Sequence, residues 1–135
     1  MHLFTYGSLM YPQVWSRVMQ RSHASRPATL AGYSRRQLPG EVHPAMISSG
    51  PDSTIQGILY ADLTPDELAR LDRFEDEGID YKRISVTVET ASGQVDAFTY
   101  MYMHPDRVSA APWDPTDFET AGLQHFLNNY VRQRE

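Results

Sequence analysis

The chain has 135 residues, and 17 acidic against 12 basic side chains give it a net charge of −5. One domain over 1–135 is expected, able to bury roughly two-thirds of its unfolded surface without disulfides or metal staples. Apolar residues at 41% and charged residues at 21% exclude a disordered chain, and the lack of cysteine excludes a disulfide framework, a thiolate nucleophile and a zinc ribbon.

The acidic balance argues against a nucleic-acid partner, which would call for a net basic surface. Neither a basic, apolar leader nor a run of about 18 apolar residues occurs, so no secretory signal and no membrane partner are expected. A cytoplasmic location is the default expectation.

In chain order, His2–Tyr6 reads as a short strand entering a tight Gly7-Ser8 turn. Tyr11-Pro12-Gln13-Val14-Trp15 opens a short helix with proline in its first turn, and Val14, Trp15 and Val18 share its apolar side. Three strands follow, at Ala28–Tyr33, Val42–Ile47 and Ile55–Ala61, divided by Pro39-Gly40 and by Ser48–Asp52. Thr64-Pro65-Asp66-Glu67 is a capping box with proline at the first helical position. The helix it opens carries Leu68, Leu71 and Phe74 on one side and should end near Glu75–Gly78. In Lys82–Glu89 the residues Ile84, Val86 and Val88 alternate with polar ones, a half-buried strand. Ala91-Ser92-Gly93 turns it into a partner, Val95–Met103. Asp114-Pro115-Thr116-Asp117 starts a last helix with Phe118, Gly122, Phe126 and Tyr130 on one stripe.

About six strands joined mostly by short turns, with two or three helices, predict an α+β fold: a small mixed, mostly antiparallel β-barrel with flanking helices. The helix after the first strand allows one crossover to a parallel neighbour.

The histidines, His2, His23, His43, His104 and His125, are each at least 20 residues apart, so no metal-ligand spacing occurs. No Gly-x-Ser-x-Gly elbow and no phosphate loop is present. Two segments are richer in chemistry. In Phe4-Thr5-Tyr6-Gly7-Ser8-Leu9 a strand runs into a glycine turn, which can leave successive N–H groups free for an anion or oxyanion; as a bare hexamer it is equally a strand and a turn. In Leu71-Asp72-Arg73-Phe74-Glu75-Asp76-Glu77-Gly78 four acids crowd a helix C-terminus, where negative charge opposes the macrodipole. Carboxylates crowded beside Phe74 would tend to have raised pKa values, as a base acting on an ammonium requires; the alternative is a solvated acidic helix end.

Together the segments resemble the γ-glutamylcyclotransferase family, most closely its short AIG2-like branch. The resemblance rests on Phe4 to Leu9, on Leu71-Asp72-Arg73-Phe74-Glu75 and on Tyr81-Lys82-Arg83. Leu30-Ala31-Gly32-Tyr33, Pro44-Ala45, Gln56-Gly57-Ile58-Leu59-Tyr60 and Trp113-Asp114-Pro115 add to it.

The resemblance implies a cavity at the mouth of the barrel and intramolecular aminolysis of a γ-glutamyl amide, giving 5-oxoproline and a free amine or amino acid. It implies no cofactor and no metal, and a small γ-glutamyl compound as the partner. By position, Tyr6, Gly7, Ser8 and Leu9 match the substrate-cradling turn and Glu75 the catalytic glutamate. Glu77 lies further into the loop, and Asp76 stands where many relatives carry glycine. Tyr81 matches a recurring tyrosine that could orient Glu75 or the substrate, or else pack its ring at the barrel edge. Arg83 shares a strand face with Tyr81 and could neutralise the acids or form a surface ion pair. Two other readings stay open: a non-catalytic binder of γ-glutamyl or related carboxylates, and an acyltransferase using an external amine. The leaving-group contacts are expected on Gly32–Gly40 or His104–Trp113, and the oligomeric state is open.

Overall fold

The computed structural model describes residues 1–131, with side chains described as far as residue 129. Strand β1 (Leu3–Thr5) is short and wholly buried, and its alternation sends Leu3 and Phe4 to opposite faces. Phe4 joins Leu30, Met46, Ile55, Leu59 and Val88 in one cluster, whereas Leu3 joins the helices in another. β1 therefore lies between two packed layers, a position that a polar strand could not occupy.

β1 runs antiparallel to β5 (Thr54–Tyr60), with Phe4 opposite Leu59, and parallel to β7 (Gly93–Tyr102), with Leu3 opposite Phe98. β2 (Ser25–Ala31) pairs with β5, and β6 (Tyr81–Thr90) pairs with β2 and β7, closing the barrel in the order β1-β5-β2-β6-β7. β3 (Tyr33–Gln37) and β4 (Pro44–Ser48) form a separate two-stranded sheet. The expected mixed, mostly antiparallel barrel is observed.

Three details differ from the sequence reading. The expected strand Ala28–Tyr33 breaks at Gly32, whose φ of 88° is left-handed, so Tyr33 begins β3 and the described residues form seven strands. The strand expected over Val42–Ile47 is β4, which begins two residues later and ends one residue later. The helix after β1 leads to β2, which lies beyond β5, so the parallel partner of β1 is β7, the last of the described strands.

Helix α1 (Pro12–Met19) buries Val14, Trp15, Val18 and Met19. Helix α2 (Pro65–Phe74) is closed by the predicted box: Thr64 Oγ1 accepts from the Glu67 N–H at 3.1 Å, and Glu67 Oε1 accepts from the Thr64 N–H at 2.9 Å. Such a cap stabilises by about 1 kcal/mol. Leu68, Leu71 and Phe74 form its buried face, each worth about 1.5–3 kcal/mol of apolar burial. Helix α3 (115–131) alternates α-helical turns, Pro115–Asp117 and Leu123–His125, with π-helical ones, Phe118–Gly122 and Phe126–Val131. Phe118, Gly122 and Phe126 are its buried stripe, and the Tyr130 side chain lies outside the described residues. Among the described residues no helix is long and apolar enough to cross a membrane.

Candidate active site

The Tyr6–Leu9 segment leaves the barrel where β1 ends. The Met10 N–H donates to the Gly7 carbonyl at 3.0 Å and the Tyr11 N–H to the Ser8 carbonyl at 3.2 Å, which winds residues 8–10 into one tight turn. A turn of this kind satisfies carbonyls and leaves the leading amides open. Among the described residues no protein acceptor meets the N–H groups of Gly7, Ser8 and Leu9.

Several contacts hold the turn in place. The Tyr6 hydroxyl donates to the Tyr100 carbonyl at 2.7 Å, and the Tyr60 hydroxyl donates to the Leu9 carbonyl at 3.0 Å. The Tyr60 ring stacks on Trp15 with centroids 3.6 Å apart. Gly7 lies against Pro44, and a Cβ at residue 7 would stand 2.8 Å from both Cγ and Cδ of that proline. Pro44 is itself tied down, since its carbonyl accepts from the buried Tyr81 hydroxyl at 2.8 Å. Gly57 on β5 is also required, because a Cβ there would meet the Thr5 carbonyl oxygen and the Phe4 ring.

Glu75 follows the last residue of α2. Its N–H still donates to the Leu71 carbonyl at 2.9 Å, so the backbone stays helical through Glu75 and then reverses. Asp76 takes a left-handed φ of 51° and Gly78 a φ of 89°, and the chain returns to β6. Asp76 thus has the backbone conformation that glycine favours, at the position where the family resemblance leads one to expect glycine. Phe74 is buried against Phe126, with centroids 6.3 Å apart, which anchors the end of the helix.

One cavity is lined by Tyr6, Gly7, Ser8 and Leu9 together with Glu75, Tyr81 and Tyr100. With its open mouth counted it holds about 440 Å³, but the space in which a water molecule can stand is only about 30 Å³. It is a narrow slot rather than a chamber. Glu75 is half-buried on its wall. Burial, with the negative charge of Glu75 added to it, pushes the Tyr6 phenol well above its ordinary ionisation range. For Tyr100 burial again comes first, then its bond to Asp72, then the charges of Asp72 and Glu75.

All six residues singled out from the sequence, Tyr6, Gly7, Ser8, Leu9, Glu75 and Tyr81, line this cavity. Glu77 points elsewhere: it is exposed, and its Oε2 accepts from the Arg83 N–H at 3.2 Å. Arg83 lies 3.6 Å from Asp72 Oδ2 and 5.0 Å over the Phe98 ring, an ion pair at partial exposure. Tyr100, His43, Pro44 and Phe126 also line the cavity and were not singled out as site residues. The aromatic run Phe98–Tyr102 was the available signal for Tyr100.

A closed barrel with one slot lined by both a carboxylate and unused backbone amides defines a class of site suited to proton transfer beside a developing oxyanion. The family model described as "Gamma-glutamyl cyclotransferase, AIG2-like" matches residues 3–117, and the chain belongs to that family. It is 34% identical over 136 residues to AIG2-like protein C of Arabidopsis thaliana, covering 94% of this chain and 78% of that one. An Arabidopsis thaliana protein solved in solution superposes with a TM-score of 0.71 at 26% identity, covering 96% of this chain and 87% of the other. A structure titled "Gamma-glutamyl cyclotransferase" shares the fold, with a TM-score of 0.66 at 18% identity over 99% of this chain and 87% of that one.

Proposed function

We propose that the protein converts a γ-glutamyl amine or γ-glutamyl dipeptide to 5-oxoproline, with Glu75 as the acid and base. The observation that carries this reading is that the half-buried Glu75 and the open amides of Gly7, Ser8 and Leu9 line one slot.

At neutral pH the substrate's α-amine is an ammonium and has no lone pair to attack with. Glu75 takes one of its protons, and the freed nitrogen adds to the γ-carbonyl carbon. The carbonyl oxygen becomes an oxyanion, to which the turn N–H groups donate. Glu75 then passes its proton to the departing nitrogen and the old C–N bond breaks. The ring nitrogen gives up its second surplus proton to the same carboxylate, which hands it to the released amine, so a neutral five-membered lactam and an ammonium remain. One carboxylate serves twice, and no atom enters from outside the substrate.

A positioned proton transfer of this kind is worth about 10²–10⁴-fold, and a single oxyanion donor about 3 kcal/mol. The nucleophile is already tethered to its target, so orientation within the slot supplies much of the remainder. The family's reaction uses no cofactor. The leaving amine departs toward the groove beside Tyr81 and His43, which Leu38, Pro39 and Arg107 line; these belong to the two loops expected to hold it.

The test is Glu75→Gln, assayed for 5-oxoproline release over a panel of γ-glutamyl compounds. The variant should keep the fold and the binding of 5-oxoproline and lose turnover by at least about 100-fold. Binding without turnover in the wild type would make the protein a carrier. Turnover only with an added amine would make it a transferase to an external acceptor.

A further inference from the structure

We infer that Arg35 is a positioning residue for the amide turn, acting through the carbonyl of Tyr6. The inference rests on reading Gly7–Leu9 as the oxyanion site. Arg35 belongs to β3, outside the barrel, and does not line the slot. It approaches the turn from behind, in a groove it shares with Met10, Gly57 and Ile58. Its Nη1 donates to the Tyr6 carbonyl at 2.8 Å and reaches the Gln56 carbonyl at 3.4 Å.

The consequence follows from peptide geometry. The Tyr6–Gly7 bond is trans, so its C=O and N–H point in opposite directions. With the oxygen held on the Arg35 side, the Gly7 N–H faces the slot. A cation on the oxygen also draws electron density through the amide and makes the same N–H a stronger donor. Arg35 thus fixes both the direction and the strength of the first amide.

The surroundings of the guanidinium fit that role. It is half-buried, yet among the described residues no carboxylate lies within salt-bridge distance of it. Its other contact is the Trp113 ring, with Cζ 5.1 Å from the centroid. Trp113 is itself fixed, its indole N–H donating to the Val42 carbonyl at 2.8 Å and its backbone N–H to the Arg35 carbonyl at 3.3 Å. Asp114 acts on the guanidinium only from beyond salt-bridge distance, and withdrawing a cation from water with no carboxylate in contact costs stability, so a packing role alone does not account for it. A planar, forked donor that stacks while it bonds is what arginine offers and lysine does not. The neighbouring Arg36 is directed elsewhere: its Nη1 donates to the Ala110 carbonyl at 2.7 Å.

Arg35→Met, Arg35→Lys and Arg36→Gln test this, read by kcat and KM for 5-oxoproline release and by the amide resonance of Gly7. Losing a bond to a charged donor should lower kcat in Arg35→Met by about 10–100-fold and leave KM within about threefold. The Gly7 amide proton should move upfield, and its response to added 5-oxoproline should shrink. Arg35→Lys should recover part of kcat, and Arg36→Gln should match the wild type. A kcat for Arg35→Met within about twofold of the wild type overturns the inference. So does a lost kcat with an unmoved Gly7 resonance, which makes Arg35 a packing residue. Should Arg35→Met not fold, Arg35→Lys carries the same readouts, and wild-type values for both overturn the inference. If the wild type releases no 5-oxoproline from any compound, the proposed reaction fails; Arg35 is then judged on the Gly7 resonance alone.

Discussion

The hydroxyl of Tyr100 donates a 2.6 Å hydrogen bond to Asp72 Oδ1, tying the last barrel strand to the helix that delivers Glu75. Asp72 is one helical turn ahead of Glu75, so this bond fixes the height of α2 against the slot. Tyr100→Phe should cost about 1.5 kcal/mol in urea unfolding, the low end for a charged acceptor because Asp72 is partly exposed. It should also lower kcat by about tenfold or more, since small displacements of a reacting group are expensive. A stability loss with kcat unchanged would show that the bond supports the fold alone.

Gly7 has no room for a side chain. In Gly7→Ala the methyl must push on Pro44, which the Tyr81 hydroxyl holds in place. Overpacking of this kind costs about 1–3 kcal/mol of stability. The larger effect should fall on turnover, by more than about 100-fold, because the displaced atoms are the donors themselves. Steady-state kinetics beside a thermal melt separates the two effects.

Glu67 carries the acid dependence of stability. Its carboxylate accepts from Arg21 Nε and Nη2, both at 2.7 Å, from the Thr64 N–H, and lies 3.0 Å from His23 Nε2. The Arg21 bond is the leading cause that holds its pKa down at about 2, against an ordinary 4.5. A lowered folded-state pKa stabilises above pH 4.5, and the contribution is lost as pH falls from there toward 2. With Arg21 half-exposed, about 2 kcal/mol should disappear over that window. Glu67→Gln should flatten the decline, read as unfolding midpoints from pH 6 down to about pH 2.

The alkaline side has the opposite sign. Burial pushes Tyr60 up to about 12 and Tyr6 and Tyr100 well above their ordinary value of 10. A raised phenol pKa stabilises fully below pH 10, and the contribution is lost as pH climbs beyond it. Tyrosinate absorbance should therefore lag at about pH 11 while the native dichroism persists, and these three phenols should ionise together when the fold gives way. Early, independent ionisation of every tyrosine would contradict the burial described for these three.

The capping box of α2 and the alternation of β6 were legible because both are local: a helix cap spans four residues and a strand period two. The turn and the glutamate were legible for a different reason, as motifs 66 residues apart that share an order with a known family. β3 was not legible, because Ser34, Arg35 and Arg36 carry no apolar alternation. Their charges are satisfied by carbonyls of Tyr6 and Ala110 and by the Trp113 ring, partners that no local pattern reveals. Tyr100 escaped notice for the same reason, since it bonds to Tyr6 across 94 positions of chain.

The barrel is shut by the pairing of Leu3 with Phe98, so β1 leaves the ribosome well before the strand that completes its pairing. Until then the amide turn has neither Tyr100 to hold it nor a wall to face, and the nascent chain carries its chemistry in pieces. Late closure of this kind makes folding slow relative to helical proteins of the same size. A polypeptide ending at Ser92, short of β7, should leave 5-oxoproline unbound at any concentration that saturates the intact protein.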